Sequence, residues 1–455
     1  MFYTLGRMKA PGFRRAFVTA SLASLISLAC VGIFFLLNAH SVARDLASSK
    51  VAIRAAFDNH TLGYELGRRG DAIMGQHQYN DCLVLMMAVD QRGTATELTV
   101  SPTQSSYGDP RGVCADTEHL AKGDAAVGEP AFYHQYMHGQ TMLLRYLLPL
   151  MTVRSIRTLY KALMVLILFA GIAVALAGLA QQRSAQVNLF WLIMFLAFAR
   201  CFGLETFGQS LSHAPSDLVF VGFALLLSIA AYRGGISSRL AIPLVAVFGS
   251  LTLIFEMLTG GIPLGLALIV GGLPFALKPG PDDEPPGRVI SDVVNGLISF
   301  CAAVAAAIFT KAVAAIAVFG IDTIIISAQQ LRLRMGLTGA SGTGRSINPL
   351  QFVRSIGLGL DGLVPGTPLL GFLLLATAIF IGQWSARKLW RTPVPLLRLR
   401  VRCLVASNAL IVLMLLVFWE HTIVHAWFMD RMLVWTVGSG FALFAMYLAN
   451  HKTKL

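Results

Sequence analysis

The sequence predicts an all-α integral membrane protein with about ten transmembrane helices and a small α-rich extracytoplasmic domain between the first two. Three observations lead there. Of 455 residues, 56% are hydrophobic and only 13% charged, whereas a soluble domain carries about 25% charged residues. The mean hydropathy is +0.67. Ten stretches approach the ~20 apolar residues that a helix needs to cross the hydrocarbon core, and basic residues recur in every second loop between them. The net charge of +13 is therefore a statement about orientation, because Lys and Arg gather in cytoplasmic loops. It does not point to nucleic acid.

The ten segments fall near 16–38, 159–180, 187–204, 216–232, 240–257, 262–277, 291–310, 367–384, 403–419 and 432–449. Arg7, Lys9, Arg14 and Arg15 precede the first. Arg183, then Arg233 and Arg239, then Lys278, then the run from Arg387 to Arg402, and finally Lys452 and Lys454 mark the other basic loops. This alternation places both termini in the cytoplasm. Residues 311–365 break it, since they fall outside yet hold Lys311, Arg332, Arg334, Arg345 and Arg354; long loops follow the rule poorly. The first apolar run is longer than a signal-peptide core, so an uncleaved anchor is expected despite the small residues Ser41 to Ala43.

The chain divides accordingly. Residues 1–38 form a tail and the first helix, 39–158 the extracytoplasmic domain, 159–310 helices two to seven, 311–366 a second outer region, and 367–455 helices eight to ten. Within 39–158, Val42 to Met74 has helical periodicity, Leu83 to Val89 is apolar, and Glu97 to Asp124 is rich in Ser, Gly, Pro and Asp and reads as loop. Cys82 and Cys114 are the two cysteines of this excursion, and in an oxidising compartment they are expected to form a disulfide. Residues 142–158 read as an interfacial amphipathic helix broken at Pro149, with Arg145, Arg154 and Arg157 directed at an anionic bilayer surface. Its alternatives are plain seating of the next span and contact with a phosphate. The run GLTGASGTGRS lacks the Lys of a phosphate-binding loop and reads as a mobile connection.

Chemistry-bearing residues concentrate just ahead of the second span and near outer span ends. Tyr133, His134, Tyr136 and His138 precede Arg145 in FYHQYMHGQTMLLR. His134 and His138 are four apart, a spacing that shares one helix face, and His421 and His425 repeat it in EHTIVHAWFMDR. Two such pairs raise a metal site, but no Glu-x-x-His or HExxH pattern accompanies them. No cofactor is assigned, and a divalent cation stays open. Hydrogen bonding to a phosphate or sugar suits His, Tyr, Trp427 and Arg431 equally. Arg200, Glu205, Glu256, Lys311, Asp322 and Glu420 lie in or near spans, where an ionisable group is either functional or paired with another. Asp58, Asp71 and Asp81 are the carboxylates expected in the first outer domain, with a solvated ion pair as the plainer role for each.

Five patches also carry a resemblance: GDAIM at 70–74, YHQYMHGQTMLLRYLLPL at 133–150, FEMLTGGIPLGLAL at 255–268, TKAVAAIAV at 310–318 and HTIVHAWFMDRML at 421–433. In this order they are similar to motifs of a group of bacterial polytopic membrane proteins that look like GT-C type glycosyltransferases. Those motifs read R-Y-W-H-G, F-D-x-L-T, T-K-W and H-x-x-I-H-x-x-F-x-x-R. The resemblance implies a GT-C-like fold in the bacterial cytoplasmic (inner) membrane. It implies transfer of a sugar from a polyprenyl-phosphate donor to a cell-envelope glycan or lipid acceptor on the extracytoplasmic side. Asp71 would be the base that takes the acceptor hydroxyl proton. Arg145, Lys311 and Arg431, with His138, would hold the donor phosphate. Tyr136, His134, Asp81, Glu256, His421, His425 and Trp427 would line the substrate site. Met137, Glu256, Ala312 and Asp430 depart from the family's Trp, Asp, Trp and Tyr; loss of the first Trp removes a stacking platform for a sugar or isoprenoid. The alternatives are a transporter or flippase of a lipid-linked glycan, against which the two halves show no internal repeat, and a membrane acyltransferase using His as base.

Overall fold

The computed structural model describes residues 12–64, 77–203, 210–256, 260–278, 287–337, 349–364, 367–424 and 430–452. Nearly all of them are helical. α1 (Phe13–Val42) shows why. Its apolar side chains Phe17, Leu25, Ile33 and Leu36 point outward, while Thr19, Ala23, Ser27, Val31, Phe34 and Asn38 form the buried stripe at three- and four-residue spacing. A helix whose greasy side faces out and whose small and polar side faces in is solvated by lipid, because packing between spans favours small residues that let backbones approach.

α2 (Ala47–Asp58), α3 (His77–Val89), α4 (Ala95–Val100), α5 (Val113–Lys122) and α6 (Gly139–Leu147) build the domain between the first two spans, the expected outer domain. A two-stranded antiparallel pair, β1 (Thr103–Gln104) and β2 (Ala131–Phe132), closes it with Thr103 opposite Phe132. The Cys82–Cys114 disulfide forms and joins α3 to α5. The stretch expected as loop thus contains α4 and α5. α4 starts from a capping box in which Thr94 and Glu97 satisfy each other's backbone amides, and α5 ends at the left-handed Gly123.

α7 (Val153–Ala180), α8 (Ala185–Phe198), α9 (Ala214–Tyr232), α10 (Ser238–Phe255), α11 (Gly261–Gly271), α12 (Leu273–Ala276) and α13 (Gly287–Phe319) follow. α14 (Asp322–Arg334), α15 (Pro349–Leu363), α16 (Pro368–Leu389), α17 (Pro395–Val417), α18 (Trp419–Val424) and α19 (Leu433–Lys452) complete the chain. Every one of the ten apolar segments is helical. Among the described residues eight helices are long and apolar enough to cross a membrane: α1, α7, α9, α10, α13, α16, α17 and α19. α8 and α11 are shorter apolar helices, extended by a π-helical turn at Ala199–Gly203 and by α12 respectively. Three expected boundaries fall inside helices rather than between them. Residue 38 lies within α1, 158 within α7 and 310 within α13, because hydropathy marks the lipid-facing stretch and not where backbone hydrogen bonding stops.

The outer region at 311–366 differs from the expected loop. α13 runs on to Phe319, and α14 and α15 occupy most of the rest, while residues 338–348, which hold most of GLTGASGTGRS, lie outside the described residues. The main apolar core joins α7 to α13 with α16, α17 and α19, and a second core fills the outer domain down to the first turns of α7. At one point where α16 crosses α19 there is no room for side chains: a Cβ at Gly382 would come 2.8 Å from the Gly440 Cα, and one at Gly440 would fall on the Ala378 carbonyl.

Candidate functional site

The starts of α6, α9 and α11 and the end of α10 meet in one place. After β2 the chain runs through Tyr133, Tyr136 and His138, whose rings pack together with centroids 5.5–6.2 Å apart. His138 has φ of 64°, a left-handed conformation uncommon for a residue with a side chain, and it is the residue preceding α6. Its Nε2–H donates to the Tyr133 carbonyl at 2.8 Å, so Nδ1 is the acceptor, and it has no partner among the described residues. Burial, with the charge of Lys311 adding to it, holds the His138 ring well below the ordinary histidine range. His134 and His138 therefore do not share a helix face. Both precede α6, and His134 turns to the Ser101 hydroxyl at 3.0 Å and to the Phe319 ring.

α6 then presses on the end of α10, where the Gln140 amide donates to the Phe255 carbonyl at 3.0 Å. This places Tyr136 within electrostatic reach of Glu256, the residue that ends α10. Burial raises the Tyr136 hydroxyl above its usual range, opposed by the Arg334 guanidinium, which lies 5.2 Å from the ring centroid. The phenol stays protonated and can donate. Glu256 is buried, with the Ser216 hydroxyl 3.5 Å from its Oε2, and a Cβ at Gly261 would collide with that same oxygen. One residue along α9, Asp217 accepts from Arg431 at 2.6 Å, and its other oxygen has no partner among the described residues. Both members of the pair are buried.

Charges here nearly balance, with Asp217 and Glu256 standing against Arg431 and Arg334. α6, α9 and α11 all begin at this point, and helix N-termini present partial positive charge and unpaired amides. Four of the buried polar atoms without partners among the described residues lie nearby: His138 Nδ1, Gln140 Oε1, Thr141 Oγ1 and Asp217 Oδ2. Leaving such groups dry costs about 1–3 kcal/mol each, so they mark a place that water or a ligand fills.

Tyr136, His138, Glu256 and Arg431 are thus gathered. Lys311 and His134 sit beside them but face the outer domain: the Lys311 ammonium donates to the Val100 carbonyl and lies 3.3 Å from the Ser101 hydroxyl, at the end of α4. Arg145 does not reach a bilayer surface or an open cleft. Its guanidinium donates to the Met87 and Ala88 carbonyls and to Asn38, capping α3 from within. Arg157, expected on the same interfacial face, is buried as well and holds Asp81 at 2.8 Å. Asp81 also accepts from Ser210 and from the Ser212 amide, so both its oxygens are occupied within the protein. Asp58 is exposed, and His421 is buried on α18. Asp71, His425, Trp427 and Glu205 lie outside the described residues. Among the described residues no three His, Cys, Asp or Glu side chains converge as a metal site would need.

Asp217, Ser216 and Arg334 were missed in the sequence. Asp217 carried a usable signal, a carboxylate opening an apolar segment, which is the same reason Glu256 stood out. Arg334 carried none, since its helix has no hydropathy signature. Compared with known proteins, the chain matches no family model, and no curated protein or solved structure shows significant similarity to it.

Proposed function

We propose that the chain is an integral membrane glycosyltransferase that takes a sugar from a polyprenyl-phosphate donor and passes it to a cell-envelope glycan or lipid. The reaction would occur on the side of the disulfide-bonded domain, outside the bacterial cytoplasmic membrane. The observation that supports it is the buried Asp217–Arg431 pair beside Glu256 and Tyr136. Carboxylates that can accept a hydroxyl proton adjoin cations and helix N-termini that can hold a departing phosphate.

In this reading the acceptor oxygen attacks the anomeric carbon, the bond from that carbon to the phosphate oxygen breaks, and the phosphate leaves with the electron pair. The acceptor proton passes to a carboxylate, Asp71 first and Glu256 next. Asp81 is set aside for this role because Arg157 and two serines already occupy it. Arg431 and Arg334 take the phosphate charge, while Arg145 and Lys311 keep the outer domain in place. The Tyr136 hydroxyl donates to a sugar or phosphate oxygen.

The test uses protein purified into lipid with a panel of polyprenyl-phosphate sugars, comparing wild type, Asp71→Asn and Glu256→Gln. Turnover in wild type that falls at least about a hundredfold, the scale of general-base catalysis, in one variant while donor binding persists identifies the base. Donor binding without turnover for any acceptor would replace the transferase by a transporter of the same lipid. Absence of donor binding would overturn both.

A further inference from the structure

His119, in the last turn of α5, has a carboxylate at each ring nitrogen. Its Nδ1 lies 2.7 Å from the Asp124 carboxylate and its Nε2 3.1 Å from that of Asp109. Ionised carboxylates only accept, so both contacts are hydrogen bonds only when the ring carries an N–H on each nitrogen, as an imidazolium. A neutral ring keeps one N–H and turns a lone pair toward the other carboxylate.

The two partners belong to different pieces of chain. Asp109 lies in the connection from β1 to α5, and Asp124 follows the left-handed Gly123 that ends α5. One side chain thus ties the segments entering and leaving the helix, beside a bond from the Val127 amide to the Ser106 carbonyl at 2.9 Å. The entering segment is also held by Tyr107, whose ring stacks on His119 and whose amide donates to Asp116. Arg111 grips Asp109 and lies over the Tyr64 ring. Other charges around α5 are engaged elsewhere: Lys122 with Glu118, Arg54 of α2 with the Ala121 carbonyl, Asp81 of α3 with Arg157, and Asp90 with Arg92. Asp109 and Asp124 therefore face Arg111 alone until His119 is charged, and the imidazolium balances the group.

We propose that His119 is a proton-operated latch: charged, it holds the segments on both sides of α5, and neutral, it keeps Asp124 and releases Asp109, loosening residues 105–112. The bond to Asp124 is the shorter, and Asp109 retains Arg111 when the ring lets go. Asp124 first and Asp109 next raise the ring's proton affinity above the ordinary histidine value. The latch is therefore closed below about pH 6.5 and opens as pH rises through the raised value. The released segment adjoins β1, whose partner β2 runs directly into Tyr133 and Tyr136, so proton loss reaches the strand that leads into the candidate site. The latch does not depend on the transferase reading.

Hydrogen exchange of the full-length protein in lipid nanodiscs tests it, read by mass spectrometry at pH 6 and pH 9 with labelling times scaled for the chemical exchange rate. The Tyr107, Arg111 and Gly112 amides are all hydrogen-bonded, so the 105–112 segment has protection to lose. That protection should fall about two- to fivefold at pH 9, the range an exposed ion pair reaches, while α16 to α19 stay unchanged. His119→Gln should show the loosened pattern at both pH values. Equal protection of 105–112 at the two pH values in wild type, a comparison that needs no variant to fold, would overturn the latch. So would a loss shared by every helix, or one that persists with pH in His119→Gln.

Discussion

His138 shows how one side chain can serve geometry and electrostatics together. Its folded-state proton affinity lies below that of the unfolded chain, so between the two values the unfolded state binds the extra proton. Stability is then full above about pH 6.5, the unperturbed histidine value, and is lost as pH falls, at up to about 1.4 kcal/mol per pH unit. His119 has the opposite sign, since Asp124 and Asp109 raise it, and its contribution is lost as pH rises. His138→Asn keeps a residue tolerant of the left-handed turn and removes the titration. Chemical denaturation at pH 7 and 5 should therefore show a shallower acid loss in the variant than in wild type; equal losses would mean the ring charges freely in the folded state. Gly261→Ala is the complementary probe on the transferase reading. The methyl displaces the Glu256 carboxylate end, so turnover should fall at least about tenfold while stability changes by no more than the ~1–3 kcal/mol of overpacking, read by activity beside thermal unfolding. At this scale the sequence was a fair guide to which residues gather and a poor one to what each holds. Tyr136, His138, Glu256 and Arg431 stood out as ionisable or aromatic groups at span ends, and they meet. Arg145 and Asp81 had the same credentials, but their partners are Met87, Ala88, Asn38, Arg157 and Ser210, which no local pattern reveals.

Among elements, the spans were legible because lipid demands a long apolar run and that demand is written residue by residue. α8 and α11 were legible for the same reason even though each is short. α14 and α15 were not, since a helix that is half polar and half apolar has an unremarkable average, and only its burial shows which half faces in. α4 and α5 were hidden by their turn-forming neighbours. The disulfide between α3 and α5 was legible from the pairing of two cysteines in one excursion. Closing a loop of 32 residues removes unfolded-state entropy worth roughly 3–4 kcal/mol. Cys82→Ala with Cys114→Ala should lower the stability of the outer domain by about that amount, seen as earlier hydrogen exchange in α3 and α5 with α16 to α19 unaffected. Uniform loosening of every helix would instead show that the outer domain and the spans unfold as one.

For the whole molecule, the outer domain is fastened to the spans by buried polar contacts: Asp81 to Arg157, Lys311 to the end of α4, Arg145 to Asn38 of α1. A fragment covering residues 44–152 loses Arg157, Ser210, Lys311 and Asn38, leaving the Asp81 carboxylate without its partners and Arg145 with only the Met87 and Ala88 carbonyls, at a cost of several kcal/mol. Such a fragment should show no cooperative thermal transition by circular dichroism, even oxidised; a sharp transition would mean that its own core suffices. The contact between α16 and α19 bears on motion rather than stability. With Gly382 and Gly440 bringing backbone against backbone at the crossing, and Trp384 packed on Tyr447 further along, sliding of one helix past the other is blocked and the two move together. Any bending of the bundle then has its pivot elsewhere, and the interrupted helices α8, with its π-helical turn, and α11, broken before α12, are the places where it can bend.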